Sequence, residues 1–249
     1  MSRKRILFCI SNENEILSAS SFAKAIKEYF KDVETVALYV KDIKKYELFQ
    51  GDISSFAIPI NEYREIEGEI YKTLKTKLDN SFDMVYELSG DKYEVISEEM
   101  KAYDLLVVVK DEGELTPLVT KIIRTFYKPF VLLNEKTTEY SFEKVLMLND
   151  GGYMVNKSVF SYFNLFGEHN IDVLRVNVED RNRLTERFGN ICNIIDEKGN
   201  NIANIIEKYL TNYDIVLMGG LNYPIFLERL TGQTGIKVIE TSEKPIFIG

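Results

Sequence analysis

Few side chains in this sequence could attack, ligate or transfer. His169 is the single histidine. It lies between Glu168 and Asn170 at an expected helix end, where a solvated cap near the negative pole of the helix dipole explains it better than catalysis. Cys9 and Cys192 are the two cysteines; each falls within an expected strand, as buried reduced thiols do, and neither is expected to bind metal. No Ser/His/Asp, Cys/His or paired-carboxylate arrangement stands out, and a single histidine removes most His-based hydrolytic and zinc chemistry. What remains is backbone chemistry at glycine-bearing turns. Gly219 and Gly220 follow the apolar run Ile215 to Met218, Gly232 precedes Thr234 and Gly235, and Asn149-Asp150-Gly151-Gly152 follows Val145 to Leu148. Glycines let amides approach an anion with no Cβ in the way, and a following helix N-terminus adds free N–H groups. The same residues also suit plain structure: a strand exit and a helix C-cap for the glycines, and a tight turn for Asp150.

The elements that must position these turns occur in two copies. Arg5-Ile6-Leu7-Phe8-Cys9-Ile10 resembles Lys144-Val145-Leu146-Met147-Leu148-Asn149, which follows the polar stretch Asn134 to Ser141. Tyr103-Asp104-Leu105-Leu106-Val107-Val108 resembles Tyr213-Asp214-Ile215-Val216-Leu217-Met218, and Lys128-Pro129-Phe130-Val131 resembles Lys244-Pro245-Ile246-Phe247. Matched segments in the same order argue duplication. With 249 residues the chain is long enough for two cores. The expected domains are 1–137 and 138–249.

Within each copy apolar strands alternate with amphipathic helices, the pattern of a parallel sheet with crossover helices. In the first, Ile16, Ala19, Ala23, Ile26 and Phe30 share a helical face. A strand at Val36 to Val40, a helix at Glu62 to Leu78, a strand at Val85 to Leu88, a helix at Tyr93 to Ala102 and a strand at Leu105 to Val109 follow. The charged run from Glu62 to Glu67 reads as a solvated helix face. Thr116-Pro117 then starts a helix, with threonine as N-cap and proline at the first helical position. The second copy repeats the order over Val145 to Leu148, Met154 to Phe166, Asp172 to Val178, Ile191 to Ile195, Ile202 to Leu210 and Ile215 to Met218, with a reduced second helix within Asp180 to Phe188. The expected fold is α/β, as two tandem open parallel five-stranded sheets with helices on both faces. A ligand would sit at the carboxyl ends of the strands, where strand order reverses.

The second copy resembles the universal stress protein family across its length, a fold of the adenine nucleotide alpha hydrolase-like kind. The resemblance rests on Val145 to Gly152, on Gly199 followed by Asn200 to Leu210, on Tyr213-Asp214-Ile215-Val216-Leu217-Met218-Gly219, and on Lys244-Pro245-Ile246-Phe247-Ile248. In ATP-binding members the loop after the fourth strand reads glycine, two residues, glycine, nine residues, glycine, then serine or threonine. Gly219 and Gly232 take the first and third glycine positions. Asn222 replaces the second glycine, which asparagine tolerates through its access to left-handed backbone. Gln233 replaces the hydroxyl, with Thr234 one residue later, and Tyr223-Pro224 is a further departure. The resemblance implies that Asp150 holds the nucleoside or a metal carried with the phosphates, and that Val176 offers backbone groups to adenine; a valine in a buried strand also needs no function. In the first copy Ser11 stands in place of Asp150. There Lys110-Asp111-Glu112-Gly113-Glu114 sets three carboxylates against any triphosphate, so no nucleotide is expected in that half.

The implied function is a universal stress protein-like, non-catalytic protein that responds to adenine nucleotide, such as ATP with magnesium, in a stress response; any ATP hydrolysis would be slow and incidental. Two other readings stay open: a scaffold that has lost its ligand and acts through protein contacts, and, with least support, an enzyme that activates substrates with ATP. The closing strands, Phe130 to Leu133 and Ile246 to Ile248, are expected to pair the copies as an internal pseudo-dimer, with homodimerisation left open. A net charge of −8 with dispersed Lys and Arg argues against nucleic acid. No apolar run spans a bilayer, and the run Ile6 to Ile10 is too short for a signal-peptide core, so a cytoplasmic location is expected.

Overall fold

A computed structural model describes residues 3–42, 60–111, 113, 115–178, 183–221 and 234–249. The chain divides into two compact units, Met1–Val109 and Lys110–Gly249.

In the first unit the order is β1 (Lys4–Cys9), α1 (Glu15–Tyr29), β2 (Val33–Asp42), α2 (Ile60–Leu78), β3 (Met84–Gly90), α3 (Lys92–Glu99), a 3₁₀ turn (Met100–Ala102) and β4 (Leu105–Lys110), whose last residue is assigned to the second unit. The strands lie in the order β3-β2-β1-β4, and the pairings of β1 with β2 and β4 and of β2 with β3 are parallel. β4 is buried throughout, as the near-continuous apolar run of a parallel strand covered on both faces must be. On α1 the expected Ala19, Ala23 and Ile26 are buried with Phe22, while Ile16 and Phe30 are half-buried at its margins.

The second unit holds α4 (Pro117–Thr125), β5 (Phe130–Asn134), β6 (Val145–Leu148), α5 (Tyr153–Phe166), β7 (Ile171–Val176), α6 (Arg183–Phe188), β8 (Cys192–Glu197), α7 (Ile202–Leu210), β9 (Ile215–Met218), α8 (Thr234–Thr241) and β10 (Ile246–Ile248). Its strands run β8-β7-β6-β9-β10-β5. The first five are parallel, while β5 pairs antiparallel with β10 through Ile246↔Leu132, Phe247↔Val131 and Ile248↔Phe130. The expected pairing of the closing strands is therefore present. It also draws β5 into the second compact unit, whereas the sequence repeat assigns Phe130 to Leu133 to the first copy.

Local signals act as the sequence implies. The Thr116 hydroxyl accepts the Val119 N–H at 3.3 Å with Pro117 behind it. Asp104 accepts the Arg5 N–H at 2.8 Å, and Asp214 accepts the Lys144 N–H at 2.9 Å. Both halves thus fix the start of their first strand with the aspartate that precedes the fourth, so this landmark is architectural.

Two polar residues depart from expectation. Lys110, read as part of an acidic stretch, is buried and donates to the Glu240 carbonyl at 3.0 Å, near the C-terminus of α8, where a cation complements the dipole. His169, read as a solvated cap, is half-buried: its ring packs edge-on to Tyr162 and Phe163, and Nε2 lies 3.3 Å from the Tyr162 hydroxyl. Burial pulls its pKa below the ordinary histidine value. Cys9 and Cys192 are free and buried, as expected, and burial pushes their thiols up to about 12 and about 11.

Candidate functional site

In the second unit strand order reverses at β6, which lies between β7 and β9. The crevice outside the carboxyl ends of these strands is the place where open α/β sheets take ligands. Asp150, Val176 and Gly219 all lie on this rim. Asn149 extends β6 by one bond, its N–H donating to the Leu174 carbonyl at 3.0 Å. The chain then turns twice: Asn149 Oδ1 accepts the Gly151 N–H and Asp150 Oδ1 accepts the Gly152 N–H, each at 2.8 Å. Gly151 sits at φ 79°, backbone that favours glycine. Asp150 is therefore a turn aspartate by geometry, and it is exposed with an Oδ2 that the turn does not use.

Val176 ends β7 with its side chain buried. The next N–H, from Asn177, donates to the Glu197 carbonyl of β8 at 2.9 Å. Peptide groups of successive residues in a parallel strand turn to opposite neighbours, so those of Val176 face the β6 side, beside Asn149, the last residue that the β6 ladder holds. The backbone edge that the resemblance assigns to a base thus faces the crevice side of β7. Arg175, one residue earlier, is buried and forks onto Asp196 at 2.7 Å through both Nε and Nη2.

Gly219 follows β9 where the first turn of α5 passes close. A Cβ there would stand 3.0 Å from the Val155 nitrogen and 3.1 Å from Met154 Cβ. At Gly220 the nearest atom to such a Cβ is Met154 Cε, at 3.5 Å. The glycine pair therefore admits a helix, and the Met154 side chain lies over it. Thr234 opens α8, and a Cβ on Gly235 would meet Leu221 Cδ2 at 3.3 Å and Met218 Cε at 3.7 Å. The N-terminus of α8 thus comes to the exit of β9. Asn222, Gly232 and Gln233, with Tyr223 and Pro224, lie outside the described residues.

The corresponding crevice of the first unit is filled from within. Glu15, at the start of α1, is 5% exposed. Its carboxylate accepts the Ser11 N–H at 2.7 Å and the Asn12 amide at 2.9 Å, and Lys92 donates to the Ser11 hydroxyl at 3.0 Å. Ser11 lies where Asp150 lies in the other copy, and Glu15 where Met154 lies. Sequence reading passed over Glu15, Met154 and Asn177. Counting forward from the matched first strands pairs Glu15 with Met154 and would have drawn attention to both.

Comparison with solved structures finds a universal stress protein from Archaeoglobus fulgidus DSM 4304, with a TM-score of 0.68 and 15% identity over 97% of each chain. The fold is that of a universal stress protein. Searches of protein-family models and of curated proteins give no match. A putative UDP-N-acetylglucosamine 2-epimerase from Listeria monocytogenes aligns at a TM-score of 0.31 with 11% identity, over 88% of this chain and 74% of its own, too loosely to carry a comparison of sites. In the universal stress protein-like second unit the candidate crevice is distinct from an open cleft of about 280 Å³ at the start of β9 and β10, lined by Lys136, Glu139, Asp214 and Lys244 among others. Among the described residues no helix is long and apolar enough to cross a membrane, and no cluster of His, Cys, Asp and Glu could hold a metal ion.

Proposed function

We propose that this is a non-catalytic, universal stress protein-like protein that responds to adenine nucleotide in a stress response, with ATP and magnesium as the ligand of its second unit. The observation that carries the reading is the convergence, on one rim, of an exposed carboxylate (Asp150), an inward-facing peptide edge (Val176), a glycine pair (Gly219 and Gly220) and the N-terminus of α8 at Thr234. These groups suit a nucleoside phosphate in kind: peptide groups for the base, Asp150 for the nucleoside or the metal, and amides with a helix N-terminus for the phosphates. Met154 is a flexible thioether side chain that can repack to admit a ligand. The role in this reading is binding, and any ATP hydrolysis would be slow and incidental.

The test is the melting temperature in millimolar ATP with magnesium. A ligand at a hundred times its Kd stabilises the folded state by about 2.7 kcal/mol, and Asp150→Ala and Gly232→Val are each expected to reduce the shift. An unchanged melting temperature for the unmodified protein rejects the reading.

The second reading is a scaffold that has lost its nucleotide and acts through protein contacts, and the Met154 side chain over Gly219 and Gly220 favours it. Mass spectrometry of small molecules released on denaturing the purified protein separates the two. A nucleotide in that fraction eliminates the scaffold.

A further inference from the structure

Among the described residues Asn177 is the non-glycine residue with a positive φ, 56°. Left-handed backbone costs a side-chain-bearing residue on the order of 1 kcal/mol and persists where the surroundings enforce it. Here three hydrogen bonds do so. The Asn177 N–H donates to the Glu197 carbonyl at 2.9 Å, its Nδ2 donates to the Gly199 carbonyl at 2.6 Å, and its Oδ1 accepts the Gly199 N–H at 3.0 Å. Because Gly199 supplies both an acceptor and a donor, the amide has one orientation that satisfies both; the flipped amide would set donor against donor. The side chain thereby ties the exit of β7 to the loop beyond β8 and fixes the peptide plane between Val176 and Asn177.

That plane carries the Val176 carbonyl. With the Val176 N–H it forms an acceptor and a donor side by side, turned to the β6 side, just beyond the Asn149 N–H bond to Leu174 that closes that ladder. Such a pair complements a heterocycle that presents an adjacent amino group and ring nitrogen, and a one-residue swing of the backbone would misdirect both bonds. Resting on the nucleotide reading above, we infer that Asn177 is a positioning residue: its left-handed backbone and its clamp on Gly199 aim the Val176 peptide edge at the base, and so set preference for an aminopurine over an oxopurine. Asn177 itself need not touch the ligand.

Equilibrium binding of ATP and of inosine triphosphate, each with magnesium, reads this directly, because the two share sugar and phosphates and differ where the amino group becomes a carbonyl. The unmodified protein should prefer ATP by about tenfold or more, as a site built to hydrogen-bond a group rejects the analogue lacking it. Asn177→Gly keeps access to the left-handed backbone and removes the clamp; Asn177→Asp keeps the acceptor for Gly199 and loses the donor. Both should bring the ratio of the two affinities close to one, with inosine triphosphate bound about as well as before. A general loss of fold would weaken both ligands together and leave the ratio alone, and such a result overturns the positioning role, as does either variant retaining the full preference. If the unmodified protein binds both nucleotides equally, the base edge is not read and the inference falls while the nucleotide reading stands. If it binds neither, both fall.

Discussion

The two crevices begin with matching strands and close in opposite ways. In the first unit a buried carboxylate, Glu15, folds back onto the Ser11 N–H and the Asn12 amide, supplying an anion from the chain itself. In the second the equivalent place is taken by Met154, an apolar side chain resting on Gly219 and Gly220. A carboxylate held by directed hydrogen bonds at 5% exposure is a fixed part of the loop, whereas a thioether held by dispersion contacts can rotate aside at small cost. The contrast teaches that matching crevices can be filled by side chains of opposite kind, and that the kind of filling decides how firmly each is closed.

The sharpest way to break this contrast is to empty both places. Glu15→Ala leaves the half-buried Ser11 N–H without its acceptor and should lower unfolding free energy by about 3 kcal/mol; Met154→Ala, at a half-buried position, should cost no more than about 1.5 kcal/mol. Urea denaturation of the two variants measures the difference, and equal losses would remove the distinction. A somewhat smaller effect is expected at the wall of the second crevice. Gly219→Ala forces a methyl to 3.0 Å from the Val155 nitrogen and should destabilise by about 2 kcal/mol, visible as a lowered melting temperature with or without ATP.

The smallest effect concerns pH and belongs to the second unit, which alone carries a histidine. Burial lowers the His169 pKa in the folded state, so the unfolded chain binds the proton more tightly. Its contribution is fully favourable above the unfolded value of about 6.5 and declines as pH falls through 6.5 towards the folded value. His169→Gln should flatten that part of the stability profile, which chemical denaturation at a series of pH values would reveal.

The parallel architecture was legible because buried strands read as short apolar runs and the helices between them keep one apolar face. Thr116-Pro117 and the paired landmarks Asp104 and Asp214 were legible because capping and strand-start chemistry are local. Asp150, Val176 and Gly219 were singled out by the resemblance to the universal stress protein family, and the rule that ligands gather where strand order reverses supported Asp150. Residues whose roles depend on distant partners were harder to read. Glu15 looks like an ordinary acidic residue in a first helical turn, Asn177 like one more residue of the expected strand Asp172 to Val178, and Lys110 like one charge among several. Only the tertiary fold brings Gly199 to Asn177 or the end of α8 to Lys110. The composition near His169 concealed its burial for the same reason, since Tyr162 and Phe163 reach it from the preceding helix.

The antiparallel pairing of β10 with β5 has a consequence for how the second unit assembles. β10 is a three-residue strand that must slot between β5 and β9, two elements far apart in sequence. Until it does, both present unpaired backbone groups, which are templates for wrong partners. Closing so long a loop for so few ladder bonds is entropically unfavourable early in folding, so this strand belongs among the last to lock. The chain's most vulnerable interval, when another molecule's strand could take the vacant berth, is therefore the end of folding and not its beginning.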